Sequence, residues 1–414
     1  MHLQALCLSA IVVYSTVLAN HDVNAQDLPI VRPANVGMSR EKLADIEGVV
    51  DGLIAEKKLA GASVMIARHG QVCFFETYGQ MDIERVKEMR KDTIFRIYSM
   101  SKAIATTAVM QLIEQGEISA DDPVGNYIPD FKEMTVFTSD GIQPAKNAIT
   151  IAHLMTHTSG LVYNANGEYG ELIKQANALD RNNTLEQMTA KMGQTPLKFE
   201  PGTDWDYGTS IDVLGRLVEV VSGQSFDVYL EEHIFQPLGM KDTAFYVPAD
   251  RVERFAANYQ PGFTLIDDPE KSAYLKQPAL LSGGGGLVST MSDYMRFLLA
   301  IRNGGELDGQ RILNPATVEL MTENHVPSEV GWIKFGPTVR DGIGFGYGFD
   351  VTVEPSRFDP HRHVGDYGWG GAASTHYWCS PEDDLIVVTM EQTMPYTFLL
   401  EDTLKPVISA AIDR

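Results

Sequence analysis

Phe95-Arg96-Ile97-Tyr98-Ser99-Met100-Ser101-Lys102-Ala103-Ile104 sets a serine three residues ahead of a lysine, at the head of a run that continues to Glu114 and meets Gly116. On a helix this spacing puts both side chains on one face. A serine hydroxyl is nearly inert at neutral pH, so a hydrolase sets a proton acceptor beside it, and a lysine in a dry pocket can lose its proton and serve. Apolar residues lie all round the run from Ala103 to Ile113 rather than in one stripe, which predicts a buried central helix stopped by Gly116. A serine in the first turn of such a helix meets the positive end of its dipole and unpaired N–H groups able to stabilise an oxyanion.

Ser-x-x-Lys alone arises about once by chance in a chain of this size. Ser39-Arg40-Glu41-Lys42 is a second copy, but it precedes the charged, amphipathic segment from Glu41 to Lys57 and reads as a surface helix N-cap. Two further segments separate the copies. Phe199-Glu200-Pro201-Gly202-Thr203-Asp204-Trp205-Asp206-Tyr207-Gly208-Thr209-Ser210 is turn-rich, and its tyrosine comes just before the apolar periodicity of Ile211, Val213, Leu214, Leu217, Val218 and Val221. A tyrosine at that junction is placed to point into a cleft. In Gly365-Asp366-Tyr367-Gly368-Trp369-Gly370-Gly371-Ala372-Ala373-Ser374-Thr375-His376-Tyr377-Trp378-Cys379, glycines lead into an alternating strand. They let a backbone approach a ligand closely, and such an edge can supply a second oxyanion N–H.

With these motifs in order, the chain resembles the serine hydrolases related to class C β-lactamases and DD-peptidases, and most of all their carboxylesterase branch, the family VIII esterases. The resemblance rests on Ser99-Met100-Ser101-Lys102, Tyr207-Gly208-Thr209, and Trp369-Gly370-Gly371 where the lactamases have Lys-Thr-Gly. His153-Leu154-Met155-Thr156-His157-Thr158-Ser159-Gly160-Leu161, Pro237-Leu238-Gly239-Met240-Lys241-Asp242-Thr243 and Ser282-Gly283-Gly284-Gly285-Gly286-Leu287 extend it. The resemblance implies Ser99 as nucleophile, Lys102 and Tyr207 as a hydrogen-bonded proton-transfer pair, and the N–H groups of Ser99 and Ala372 as the oxyanion hole. Which of Lys102 and Tyr207 is formally the base stays open, because coupled groups titrate as a pair. It further implies a substrate site lined by Trp369, Gly370, Gly371, Thr209 and Tyr98. Tyr163, Trp205 and Tyr347 are other aromatic candidates for the acyl pocket, with core packing the competing reading for these three and for Tyr98.

Departures from the lactamase pattern redirect the substrate. Thr209 replaces the asparagine that would hold a β-lactam side chain, and Trp369 replaces the lysine that would pair with a penicillin or peptide carboxylate. Both changes suit an uncharged acyl ester with an apolar group against the indole. Asp206, beside the tyrosine, would oppose tyrosinate formation if it shared the pocket, and is expected to point away.

The 414 residues, 44% hydrophobic and 21% charged, suffice for a large core. A formal net charge of −22 argues against nucleic acid and anionic membranes as partners. The apolar stretch Ala5 to Ala19 is short for a membrane span, and Val23-Asn24-Ala25 offers small residues for cleavage. Residues 1–25 are therefore expected to be a signal peptide, with an uncleaved anchor as the alternative, and the mature enzyme to be secreted or periplasmic without stable membrane insertion. Cys7 would leave with the peptide. Cys73 and Cys379 would remain as lone buried thiols.

Ala60 to Ala67 and Gln71 to Tyr78 read as two strands, Tyr367 to Cys379 and Leu385 to Glu391 as two more, and Phe398 to Ile412 as a helix packed on their sheet. Helical patterns dominate between 120 and 280. The expected fold class is α+β, β-lactamase/DD-peptidase-like. An antiparallel sheet flanked by helices would form from residues 26–120 plus 281–414, with a mostly helical subdomain, 121–280, inserted and the site in the cleft between.

His153 and His157 stand four apart, but no nearby carboxylate completes a metal site, and a structural use is expected. His361 and His363 precede the third motif and are candidates to line the pocket or, less directly, to act as a base. Glycines 283 to 286 lack the lysine of a phosphate loop and suit a tight turn beside the cleft. The chain has no Gly-x-Ser-x-Gly elbow. The expected activity is hydrolysis of short-chain or aryl carboxylic esters, a small-molecule substrate class, through an acyl-enzyme on Ser99. Acyl transfer, β-lactam or D-Ala-D-Ala cleavage, and ligand binding by an inactive homologue are the alternatives. No metal or organic cofactor is implied, and the residues leave oligomeric state open.

Overall fold

The computed structural model describes residues 28–163 and 165–413. The expected signal peptide and Cys7 lie outside the described residues.

Eight antiparallel strands make the main sheet: β1 (Gly61–Arg68), β2 (Gln71–Asp82), β3 (Lys87–Glu88), β4 (Ile343–Phe345), β5 (Asp350–Thr352), β6 (Tyr367–Gly371), β7 (Thr375–Ser380) and β8 (Leu385–Glu391). Their order across the sheet is β4-β5-β6-β7-β8-β1-β2-β3. The seam between the two chain segments is the β1–β8 pair, with Val64 opposite Thr389 and Ile66 opposite Val387. Along β1 the side chains alternate between two cores. Val64 and Ile66 face one layer, and Met65 and Ala67 the other. A strand buried on both faces reads as the unbroken apolar run seen in the sequence.

Against the first face pack α1 (Asp45–Ala55) and α5 (Leu399–Ala410), through Ile46, Val50, Leu53, Leu400, Leu404 and Ile408. The core on the other face includes α2 (Ser101–Glu114), α3 (Ser210–Ser222) and α4 (Met291–Arg302), of which α4 packs on β8 and β1 and α3 packs on α2. Every residue of α2 from Ser101 to Leu112 is buried, and Gly116 closes the turn after it at φ 75°. Two-sided burial is the physical meaning of an apolar pattern without a stripe. Ser39, in contrast, accepts from the Lys42 N–H at 3.4 Å and caps the short helix Arg40–Leu43.

One expectation needs correction. The segment from Tyr367 to Cys379 is not one strand but a hairpin, β6 and β7. Ser374 sits at φ 61° and donates its N–H to the Gly371 carbonyl at 2.9 Å, turning the chain at Ala372-Ala373. Alternation continues in both arms, so periodicity alone cannot see the turn. Within residues 121–280 the structure adds to the helices two small hairpins, Thr135–Thr138 with Gly141–Pro144 and Asn258–Gln260 with Thr264–Asp267. Their turns carry Asp140-Gly141 and Pro261-Gly262, which are ordinary turn signals.

Cys73 and Cys379 are free, buried thiols. No helix among the described residues is long and apolar enough to cross a membrane.

Candidate active site

The short strand Ile94–Arg96 runs into a single 3-10 turn, Tyr98–Met100, and directly into α2. Ser99 therefore stands just ahead of the α-helix rather than inside its first turn. Tyr98 adopts φ 40°, a region that non-glycine residues rarely occupy.

Lys102 is fully buried in the first turn of α2. Its Nζ donates to Ser99 Oγ at 3.2 Å, to the Tyr163 hydroxyl at 2.9 Å and to the Gly284 carbonyl at 2.5 Å. An ammonium has three donors, and here each has an acceptor. A neutral amine keeps two of these bonds and turns its lone pair to the Ser99 hydroxyl.

Tyr207 reaches Lys102 differently from the hydrogen-bonded pair expected. Nζ lies over the Tyr207 ring, 4.6 Å from its centre, and the Tyr207 hydroxyl instead accepts from Trp369 Nε1 at 3.2 Å. The reason is steric and directional: Tyr163 fills the remaining donor direction of the ammonium, while packing holds the Tyr207 ring. Its neighbours are His157 at 4.8 Å, Trp369 at 5.3 Å, Phe335 at 5.4 Å and Tyr163 at 5.5 Å between ring centres.

The hairpin turn brings Ala372 to the cavity. A Cβ on Gly371 would sit 2.3 Å from the Ile97 carbonyl oxygen, so only a glycine lets the end of β6 press on the backbone ahead of Ser99. Ala372, the next residue, lines the same cavity of about 270 Å³ as Ser99, Tyr207, Trp369, Gly370 and Gly371.

Behind Lys102 is a carboxylate. Asp212, on α3, is buried, and its Oδ1 accepts from the Gly284 N–H at 3.1 Å and from the Ser282 hydroxyl. Gly284 thus bonds Asp212 through its N–H and Lys102 through its carbonyl. A Cβ on Gly284 would lie 2.3 Å from Asp212 Oδ2, which explains a glycine at this point of the turn. Burial raises the Asp212 carboxyl above its ordinary value, and the Lys102 charge opposes that rise.

Residues 46–407 match the model of the Beta-lactamase family. The chain belongs to that family. It is 32% identical to Esterase EstB from Burkholderia gladioli over 390 residues, covering 87% of this chain and 94% of that one. Among solved structures it is similar to EstCE1, described as a hydrolase with promiscuous acyltransferase activity, at TM-score 0.77 and 30% identity. That match covers 89% of this chain and 98% of the other. Simvastatin synthase (LovD) from Aspergillus terreus shares the fold, at TM-score 0.75 and 24% identity over 90% of this chain and 99% of its own. The chain is accordingly a serine hydrolase of the β-lactamase/DD-peptidase superfamily near the family VIII esterases, with the fold those proteins have.

Around this family's site the remaining sequence candidates divide. Thr209 lines a neighbouring cavity of about 530 Å³ with Tyr163. Tyr98 lines neither cavity, and its ring meets Tyr274 edge-on at 6.3 Å. Trp205 is fully buried among His157, Phe335 and Phe345, and Tyr347 stacks on His325 at 3.9 Å. Asp206 turns away from Tyr207 to pair with Lys198.

The two histidines four apart have separate structural uses. His153 closes a capping box with Thr150. His157 accepts the Gly208 N–H on Nδ1 at 3.3 Å, fixing the loop beside Tyr207, and burial together with the Lys102 charge lowers its pKa well below the usual value. His361 and His363 stay out of the Ser99 cavity, His363 pairing with Asp383 at 3.1 Å. Among the described residues no group of three or more His, Cys, Asp or Glu side chains is arranged to hold a metal ion.

Sequence reasoning left two contributors out of the site. Tyr163 reads from the sequence as pocket wall or core, although it follows the His153 to Leu161 motif by two residues. Asp212 stands inside an apolar periodicity, where a lone acid is itself a signal.

Proposed function

We propose that this serine hydrolase cleaves carboxylic esters of small, largely apolar molecules through an acyl-enzyme on Ser99. The observation that carries the reading is the 3.2 Å contact between Lys102 Nζ and Ser99 Oγ at the wall of a cavity shared with Tyr207 and Trp369. Similarity to EstB over most of both chains supports the ester as substrate.

In the proposed reaction the neutral amine of Lys102 takes the Ser99 proton as Oγ attacks the ester carbonyl. The carbonyl oxygen, becoming an oxyanion, is met by the N–H groups of Ser99 and Ala372. Tyr207, its hydroxyl accepting the Trp369 indole N–H, gives its own proton to the departing alcohol, and the ammonium of Lys102 restores that proton when the two groups close on each other. Water then attacks the acyl-enzyme with the same groups reversed. Asp212 acts through Gly284, holding the carbonyl on which Lys102 rests. Within the proposal the enzyme works outside the cytoplasm, on the strength of the leader-like pattern of residues 1–25.

Intact mass spectrometry of the wild type and Ser99→Ala, each with excess p-nitrophenyl butyrate and, in parallel, a fluorophosphonate, tests this. Labelling and nitrophenol release that both vanish in the variant are expected. A wild type that neither labels nor turns over sinks the ester reading. The similarity to EstCE1 favours a second fate for the acyl group, transfer to an alcohol. Adding a primary alcohol during turnover reads the partition between the two.

A further inference from the structure

The cavity that Ser99 lines also holds a cation whose hydrogen-bonding capacity is unspent. Arg340 follows the hairpin formed by Lys334–Phe335 and Thr338–Val339, and its side chain is 10% exposed. Its guanidinium carbon lies 4.2 Å from the Phe335 ring centre, 4.8 Å from Phe358, 5.1 Å from Phe398 and 5.7 Å from Trp369. Among the described residues the guanidinium has no hydrogen-bond acceptor, and its carboxylate neighbour, Asp350 Oδ2, stands 4.0 Å from Nη1.

Ring faces attract a cation but leave its in-plane N–H groups without acceptors, and a guanidinium has five of them. The acids of the cavity are already engaged. Asp350 takes a two-pronged bond from Arg362, at 2.8 and 2.9 Å. Glu401 and Asp359 share the Lys405 ammonium, Glu401 at 2.5 Å. The cavity lining thus holds two guanidiniums, Arg340 and Arg362, and three carboxylates, with the Lys405 ammonium bonded to two of those acids; of these charged groups the Arg340 guanidinium has no hydrogen-bond partner among the described residues. A planar, forked donor in an apolar-walled cavity matches a carboxylate.

We propose that the ester cleaved here carries a carboxylate, on its acyl or its alcohol half, which Arg340 receives. The inference rests on the ester reading above and sharpens its substrate class to an apolar body with an anionic end. Trp369 supplies the apolar wall, and the cation comes from the segment after the hairpin rather than from β6.

Two matched pairs of esters test it. For the acyl half the pair is 4-nitrophenyl valerate and 4-nitrophenyl hydrogen glutarate. For the alcohol half it is phenyl butyrate and 4-(butanoyloxy)benzoate. Each anionic-to-neutral ratio of kcat/KM is compared between wild type and Arg340→Gln, which cancels intrinsic ester reactivity. In one pair the ratio is expected to fall by about 10-fold or more in Arg340→Gln, with partial recovery in Arg340→Lys. Ratios within about 2-fold of wild type in both pairs overturn the proposal. Thermal unfolding of both variants separates this from misfolding.

If no ester turns over and Ser99 takes no fluorophosphonate, the ester reading fails by itself. Arg340 is then judged by calorimetric titration of wild type and both variants with benzoate and monomethyl glutarate. Binding weakened in Arg340→Gln and recovered in Arg340→Lys sustains the anion site, and equal affinities, or no binding to the wild type, refute it.

Discussion

The Lys102 ammonium donates to the Tyr163 hydroxyl at 2.9 Å. That bond occupies the place the motif pattern would give to Tyr207, and it leaves the Tyr207 hydroxyl to the Trp369 indole. Lys102 is therefore oriented by a residue outside the three matching motifs. Burial, reinforced by the nearby Asp212, holds the Tyr163 hydroxyl well above its ordinary value.

Tyr163→Phe removes the acceptor and strands one buried Lys102 N–H. Loss of a hydrogen bond to a charged group predicts a fall in kcat/KM on a neutral ester of about 10- to 100-fold, mostly in kcat. Steady-state kinetics on p-nitrophenyl butyrate checks it. Unaltered kcat would show that Tyr163 merely packs.

Trp369→Phe keeps a ring in the cavity wall and deletes the only donor seen at the Tyr207 hydroxyl among the described residues. The expected result is a drop in kcat of about 10-fold with a smaller change in KM. A variant that changes KM alone would assign Trp369 to substrate packing and not to Tyr207.

Gly371→Ala introduces a Cβ 2.3 Å from the Ile97 carbonyl oxygen, a contact that only backbone movement relieves. A shift of roughly 1 Å at reacting groups can cost about 100-fold in rate. Activity is expected to fall by that order, and fluorophosphonate labelling of Ser99 to slow in parallel. Full activity in Gly371→Ala would detach the hairpin turn from the oxyanion site.

Burial lifts the Glu391 carboxyl at the end of β8 from 4.5 to about 8, against a lowering bond from the Thr393 hydroxyl at 2.7 Å. The folded protein keeps a proton that the unfolded chain gives up above pH 4.5. This contribution to stability is therefore complete below pH 4.5, declines as pH rises, and is gone above about 8. Its full size is on the order of 5 kcal/mol. Glu391→Gln should flatten the pH dependence of the urea unfolding midpoint between pH 5 and about 8.5, relative to wild type. Parallel curves for the two proteins would exclude Glu391 as the group responsible.

The local elements were legible because local physics makes them. The apolar girdle from Ala103 to Ile113, the stop at Gly116, the two-sided strand Gly61–Arg68 and the Ser39 cap all reflect burial period and turn chemistry that a short window of sequence contains. The Ser99 to Lys102 contact was legible for the same reason, since three residues on a helical path span one turn. The β6–β7 hairpin was hidden because small residues carry the alternation through its turn.

By itself the sequence determined the α+β fold class, the family, and the serine–lysine pair one turn apart. Tertiary structure alone decided which side chains surround that pair. Tyr163 and Gly284 reach Lys102 from 61 and 182 residues away, Asp212 stands behind Gly284, and Arg340 enters the Ser99 cavity among four rings. A helical repeat specifies neighbours within a turn. Partners tens to hundreds of residues apart are specified only by the packing that brings their backbones together, and that packing leaves no period in the sequence.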